Sequence, residues 1–236
     1  MVHHSLVRMR PRQVAALLGL LVPVAYSAHA VAADSFGAQG SVAISVEDVT
    51  GYYARSLKYW DQNNRTVELS RSNFSLALAT GGVRLGMHYF LYRNLSVGGS
   101  LGFETGSGSN TYQDNPGTWT TDVPSENRFV LAPRIGYALM FTNDVGLWFR
   151  GGIGYERAKR RGGEAGNGYT RDSLAMASAD ILFVWSPITH LGLFVGPTGE
   201  SSFVGRHFEH NPQNGDWSND ARLWRLGLTS GLLCYF

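Results

Sequence analysis

Cysteine is almost missing from this chain. Cys234 is the single one in 236 residues, so no disulfide can form within it. Charge is scarce as well: Asp, Glu, Lys and Arg make up 16% of the residues, against roughly a quarter in ordinary soluble domains. The 20 Lys+Arg and 18 Asp+Glu nearly cancel, which leaves no global basic footprint for nucleic acid. Beyond residue 33 no apolar run approaches the ~20 residues that a transmembrane helix needs. The length suits one good core, and a second domain would be cramped. What is plentiful is glycine, with 29 residues, and aromatic side chains, at 12%.

Residues 1–33 read as a cleaved secretory signal. Arg8, Arg10 and Arg12 form a basic start, and the apolar stretch from Val14 to Val24 is too short to span a bilayer as a helix. Ala28-His29-Ala30 and Val31-Ala32-Ala33 are both candidate cleavage sites, and the second leaves Asp34 as the start of a 34–236 domain. Pro23 and the lack of a long apolar flank argue against a membrane anchor. No cysteine is there for lipid attachment. Removing the signal takes three of the 20 basic residues and none of the 18 acidic ones, turning +2 into −1.

The rest of the chain alternates. In Leu95 to Phe103 one face is Leu95, Val97, Leu101 and Phe103, while the other is Ser96, Gly98, Ser100 and Gly102. The same period of two, the mark of a strand with two unlike faces, runs through Val83–Tyr89, Phe129–Phe141, Val145–Tyr155, Leu191–Glu200 and Trp224–Phe236. Val42–Tyr53 and Ser173–Trp185 carry it less cleanly. That makes eight strands. Short turns fall at Tyr92 to Asn94, Thr142 to Asp144 and Ser186 to His190, and polar stretches expected as long loops at about 56–72, 106–125, 157–170 and 203–220. Alternation breaks at Glu47 to Val49 and at Thr80 to Gly82, where bulges are expected.

The faces decide the solvent. A soluble barrel fills its interior with apolar side chains and turns polar ones outward. Here one face is Leu, Val, Ile and Phe, and the other is Gly, Ser and Ala with a few charges. A narrow eight-stranded lumen takes small residues and lipid takes large apolar ones. The pattern therefore specifies an all-β fold, an eight-stranded antiparallel up-and-down transmembrane β-barrel, with short turns in the periplasm and long loops outside. It also explains how a spanning chain has a mean hydropathy of only −0.12.

From about Gly40 to Phe236 the sequence resembles the OmpA/OmpX-like small outer-membrane barrels of Gram-negative bacteria. The resemblance rests on the closing strand Leu226 to Phe236 and on the turn Tyr89 to Gly98. It implies that the terminal row Leu232, Cys234 and Phe236 is an assembly signal for the barrel assembly machinery. Ser230 interrupts that row, and no peptidoglycan-binding domain is expected after it. Membership carries no single function.

Extending the alternation inward places Glu47, Arg84, His88, Glu104, Arg134, Arg150, Glu156, Asp180, Glu200 and Arg225 in the lumen as a nearly self-neutralising set. Arg suits such forked pairing better than Lys, and the set is read as a salt-bridge plug. An ion path would use the same residues. Gly98-Gly99-Ser100-Leu101-Gly102 matches a nucleophile-elbow pattern, but it lies mid-strand and lacks the strand-to-helix turn that gives the motif its mechanism. An envelope-lipid deacylase needs a membrane-embedded His and Ser with a carboxylate. His88 and His190 fall at periplasmic turns, and His207 and His210 in the last polar stretch. The run His207-Phe208-Glu209-His210 is read as solvated loop and not as a metal set. Arg157, Lys159, Arg160 and Arg161 form the one local basic cluster, either plain surface charge or a contact for lipopolysaccharide phosphates. Tyr59, Trp60, Tyr112, Trp119, Tyr169 and Trp217 belong either to a partner surface or to the membrane boundary.

The expectation is a bacterial outer-membrane barrel without catalysis, cofactor or metal, in a structural or surface-interaction role carried by four long extracellular loops. Its partners are outer-membrane lipid and lipopolysaccharide, the assembly machinery, and an extracellular partner that the sequence does not identify. A small channel is the alternative, and an envelope-lipid enzyme comes third.

Overall fold

The computed structural model describes residues 35–60, 66–76, 83–114, 117–161, 168–212 and 215–236. The expected signal, 1–33, lies outside the described residues. The alternating segments are extended chain: β1 (Val42–Trp60), β2 (Thr66–Leu76), β3 (Val83–Tyr92), β4 (Leu95–Asp114), β5 (Gly117–Met140), β6 (Val145–Arg161), β7 (Tyr169–Ile188), β8 (Leu191–Asn211) and β9 (Gly215–Tyr235). From β3 to β9 each strand pairs antiparallel with the next. One edge of β1 pairs with β9, from Ala43↔Tyr235 to Tyr59↔Ala221. Its other edge pairs with β3 over Val42–Glu47 and with β2 over Thr50–Trp60. Thus β2 and β3 share one position, and nine segments close an eight-position up-and-down barrel.

Small against large side chains sets which face turns in. Leu101, Phe103, Ile135, Ile153, Val195, Leu226 and Leu228 stand exposed on the outer wall. Tyr89, Tyr137, Phe141 and Trp185 ring its lower edge, and Phe129, Tyr155, Phe203 and Trp224 its upper edge. An apolar belt between aromatic girdles is the lipid-facing surface of a transmembrane barrel. Gly98 is required inside: a Cβ there would overlap the Met87 carbonyl oxygen. Ser100 is buried within β4, so the Gly98–Gly102 run is wall and not an elbow.

The polar stretches differ from expectation. The described residues of segments 56–72, 106–125, 157–170 and 203–220 are almost all strand, with β4 and β5 remaining paired out to Asp114↔Gly117 and β8 and β9 to Asn211↔Gly215. Polar residues on both faces carry no period-two signal, yet a ladder already started can continue and satisfy their backbone groups. The barrel wall therefore rises beyond the girdle as paired hairpins. At the opposite end tight turns close the strands. Asn94 and His190 both sit at φ 71°, and His190 Nδ1 donates to the Tyr235 carbonyl at 2.9 Å.

Two of the bulges bear on the interior. Between Val46↔Leu232 and Thr50↔Ser230, three residues of β1 face one of β9, as expected at Glu47 to Val49. Two extra residues preserve parity. Asp48 takes φ 59° there, and Ser230, the polar break in the outer row, meets the Thr50 hydroxyl at 2.6 Å. In β8 the single extra residue is Phe203, since Ala175 pairs with Val204 and Met176 with Ser202. One extra residue reverses every side chain beyond it. The other expected irregularity, at 80–82, lies outside the described residues.

Candidate functional site

The interior is stacked in layers. At the periplasmic mouth Phe36, Phe90, Ala138, Trp148, Phe194 and Tyr235 form a buried apolar plug with their neighbours. The segment before β1 supplies its centre: the Phe36 ring sits edge-on to Phe90 and Trp148, each with centroids 5.2 Å apart, and to Tyr235 at 5.8 Å. Three backbone bonds hold that segment, from Asn94 N–H to the Gly37 carbonyl and from Gly40 N–H to the Phe90 carbonyl, both 2.8 Å, and from Phe90 N–H to the Ser41 carbonyl at 2.9 Å. His88 lies on the plug, with Nδ1 3.2 Å from the Ser96 hydroxyl and its ring edge-on to Trp148.

Charge fills the next layers. Glu47 on β1 accepts from Arg134 of β5 at 3.0 Å and is bonded by Arg150 of β6. Asp180 on β7 accepts from Arg150 Nη2 at 2.9 Å, lies 3.2 Å from Arg134 Nη1, and accepts the Thr198 hydroxyl at 2.6 Å. Above these, Glu200 on β8 takes Arg84 of β3 at 3.3 Å and Arg225 of β9 at 2.5 Å. Glu156 on β6 accepts from Arg128 at 2.7 Å and Arg225 at 3.0 Å, and lies 3.6 Å from Arg55. Asp48, on the β1 bulge, accepts from Tyr53 and Thr229 and faces Arg84 at 3.6 Å. Glu104 pairs with Arg128 at 3.4 Å, with a side chain 40% exposed.

All ten residues expected in the lumen thus face it, nine of them buried and Glu104 at the open margin. Asp48, Arg55 and Arg128 join them, which brings six carboxylates against six guanidiniums among the described residues. Arg55 and Arg128 were missed because the strands were expected to stop at Tyr53 and begin at Phe129. Asp48 was missed because it rides on a bulge.

Over the network lies a second apolar layer, Leu57, Leu174, Met176, Ala221 and Leu223, then a polar group near the outer mouth. His207 Nδ1 lies 2.6 Å from Asp172 Oδ1, and its ring stacks on Tyr59 at 4.0 Å. Trp217 lies beside them, its ring centroid 5.4 Å from that of His207. His207 is therefore a buried strand residue and not solvated loop: the Phe203 bulge turns it inward. His210 lies on the outer face of β8, against Asp216 and Tyr169.

Arg160 also departs from expectation. Even positions on β6 point inward, and Arg160 pairs there with Glu126 at 3.1 Å and Asp172 at 3.8 Å. Arg157, Lys159 and Arg161 remain outside, just above Phe129 and Tyr155. Tyr169 joins them, with the Lys159 ammonium 4.2 Å from its ring centroid. Tyr112 and Trp119 hold in-register positions on β4 and β5, and Trp60 ends β1.

The apolar belt, the two girdles and a wall closed by β1–β9 pairing decide the class. The fold is that of a small outer-membrane β-barrel. No family model matches the chain, and no curated protein matches it in sequence. Solved barrels do match in shape. The outer membrane protein OprG from Pseudomonas aeruginosa aligns over 84% of this chain and 97% of its own, with a TM-score of 0.52 and 9% identity. Neisserial surface protein A aligns over 84% and 100%, with a TM-score of 0.44 and 10% identity. The outer membrane protease OmpT from Escherichia coli aligns over 86% and 99%, with a TM-score of 0.45 and 12% identity. The likeness to OprG is one of fold, and it agrees with the lipid-facing belt in placing this barrel in the outer membrane. Leu232 and Cys234 of β9 border the seam with β1, and Phe236, just past the strand, stacks on His190.

Proposed function

We propose that this barrel is closed and non-catalytic, and that it works through its outer surface in a structural or surface-interaction role. The filled lumen is the observation that carries this reading. A conducting pore lines a water column with its charges, whereas here the side chains of Arg134 and Arg150 are 1% exposed and committed to Glu47 and Asp180. A partly open pocket of about 40 Å³ lined by Asp48, Arg84, Glu104 and Arg128 has room for a few water molecules at the margin of the network. The same charges that could select ions instead tie eight strands together.

Among the described residues, the histidine–serine pair of the wall is out of reach. His88 and Ser96 are paired, but both are buried under Trp148, where no substrate reaches them. The paired hairpins above the girdle present the interaction surface, and Leu232, Cys234 and Phe236 serve as the signal read during assembly. Planar-bilayer recording with the purified protein tests closure: we expect no single-channel steps, and steps that scale with salt concentration would overturn the reading. Lipid A from cells expressing the protein should keep its mass, and a lost acyl chain would establish an enzyme.

A further inference from the structure

Inside the barrel every guanidinium of the network stands within reach of a carboxylate. The outer face of β6 and β7 is the opposite case. Arg157, Lys159 and Arg161 alternate outward along β6, and Arg171 stands on β7 directly opposite Lys159. None of the four has a carboxylate within ion-pair distance among the described residues. Partial desolvation, joined by repulsion from Arg161, Arg171 and Arg157, holds the Lys159 ammonium below its usual value.

Something holds these cations in place without neutralising them. The Tyr169 ring carries Lys159 at 4.2 Å and Arg171 at 5.6 Å, and Phe208 of β8 carries Arg171 at 5.2 Å. Arg171 Nη2 donates to the Tyr169 hydroxyl at 3.3 Å, while its Nε is buried with no hydrogen-bond partner. Aromatic support orients cations but adds no counter-charge. The row lies immediately above the girdle, since Arg157 is in register with the exposed Phe129. At that height the surrounding groups are lipid headgroups, and a phosphate accepts paired hydrogen bonds from guanidinium forks.

We propose that Arg157, Lys159, Arg161 and Arg171 form a binding site for the phosphate groups of an outer-leaflet glycolipid, with Lys159 and Arg171 sharing one phosphate. Arg160, engaged inside, takes no part. This rests on the reading that the outer wall is the working surface, but closure of the lumen is not needed for it.

The test uses the full chain refolded in neutral detergent, with bis-phosphorylated lipid A as probe and native mass spectrometry as readout. Folding of every variant is checked by heat-modifiable gel migration. Lys159→Gln with Arg171→Gln should weaken binding by about tenfold or more, in line with the loss of charge-assisted hydrogen bonds. Lys58→Gln, a cation already paired with Glu68 at 3.1 Å, should leave binding unchanged. Fully dephosphorylated lipid A should fail to bind. Equal binding of both lipids, or unchanged binding by the double variant, would overturn the proposal. So would displacement of the lipid by inorganic phosphate at the same concentration, which would make the site one for the free ion. A barrel that conducts and still binds lipid A would overturn the closed lumen and leave this site standing.

Discussion

Glu47 sits where five strands converge on one carboxylate layer, and its two oxygens answer two guanidiniums. Glu47→Gln keeps the shape and removes the charge, so Arg134 and Arg150 are left sharing Asp180 alone. We expect a loss of about 3–5 kcal/mol, the cost of stranding buried charge, measured by urea unfolding in lipid bilayers. Glu104→Gln, at the open margin, should cost under about 1 kcal/mol. Equal effects would mean that water fills the lumen. The inward set was legible in the sequence because parity alone assigns a face, and an Arg among Gly and Ser can belong only to a narrow lumen. Arg55, Arg128 and Asp172 were not legible. Each lies one or two residues past the last apolar signal, where nothing in the local pattern separates continuing strand from loop.

At the scale of the strand, parity makes adjacent residues behave oppositely. Leu228 stands exposed on the outer face of β9, and Thr229, buried, donates to Asp48 at 2.8 Å. Leu228→Arg should destabilise the barrel by roughly 2–4 kcal/mol, as a cation near the midplane does, and should lower the folded fraction in outer-membrane preparations. With Cys234 changed to Ser, Leu228→Cys should react with a lipid-soluble maleimide and Thr229→Cys should not. Reversed labelling would mean a register shifted by one. The β8 bulge shows the limit of such reasoning. Extrapolating from Glu200, even positions would stay inward, yet Arg206 is exposed and His207 is buried. The bulge at Glu47 to Val49 could be anticipated because a charged run broke the alternation, while Phe203 and Val204 are both apolar, and nothing in their chemistry marks either as the extra residue. The basic cluster was legible in composition but not in membership, because its completing residue, Arg171, comes from the neighbouring strand.

For the molecule as a whole, closure depends on both ends of the interior stack. Phe36 is 1% exposed and is the one plug ring that comes from outside the strands. Phe36→Ala should cost about 3 kcal/mol, the low end for a buried aromatic. It should also let a water-soluble maleimide reach a cysteine placed at Ala138 from the periplasmic side. If that thiol stays silent in the variant, the strands alone seal the mouth. The seam between β1 and β9 has another consequence, one of timing. It joins Thr50 to Ser230 across 180 residues, and contacts so distant in sequence form late. Until they form, β1 and β9 each offer an unpaired edge, whose bare amides and carbonyls lipid cannot satisfy. On that physical ground a half-built wall is a costly thing to leave in the bilayer. A chain shortened within β9 is expected to be lost before it accumulates there, which the yield of folded barrel in outer-membrane preparations would show.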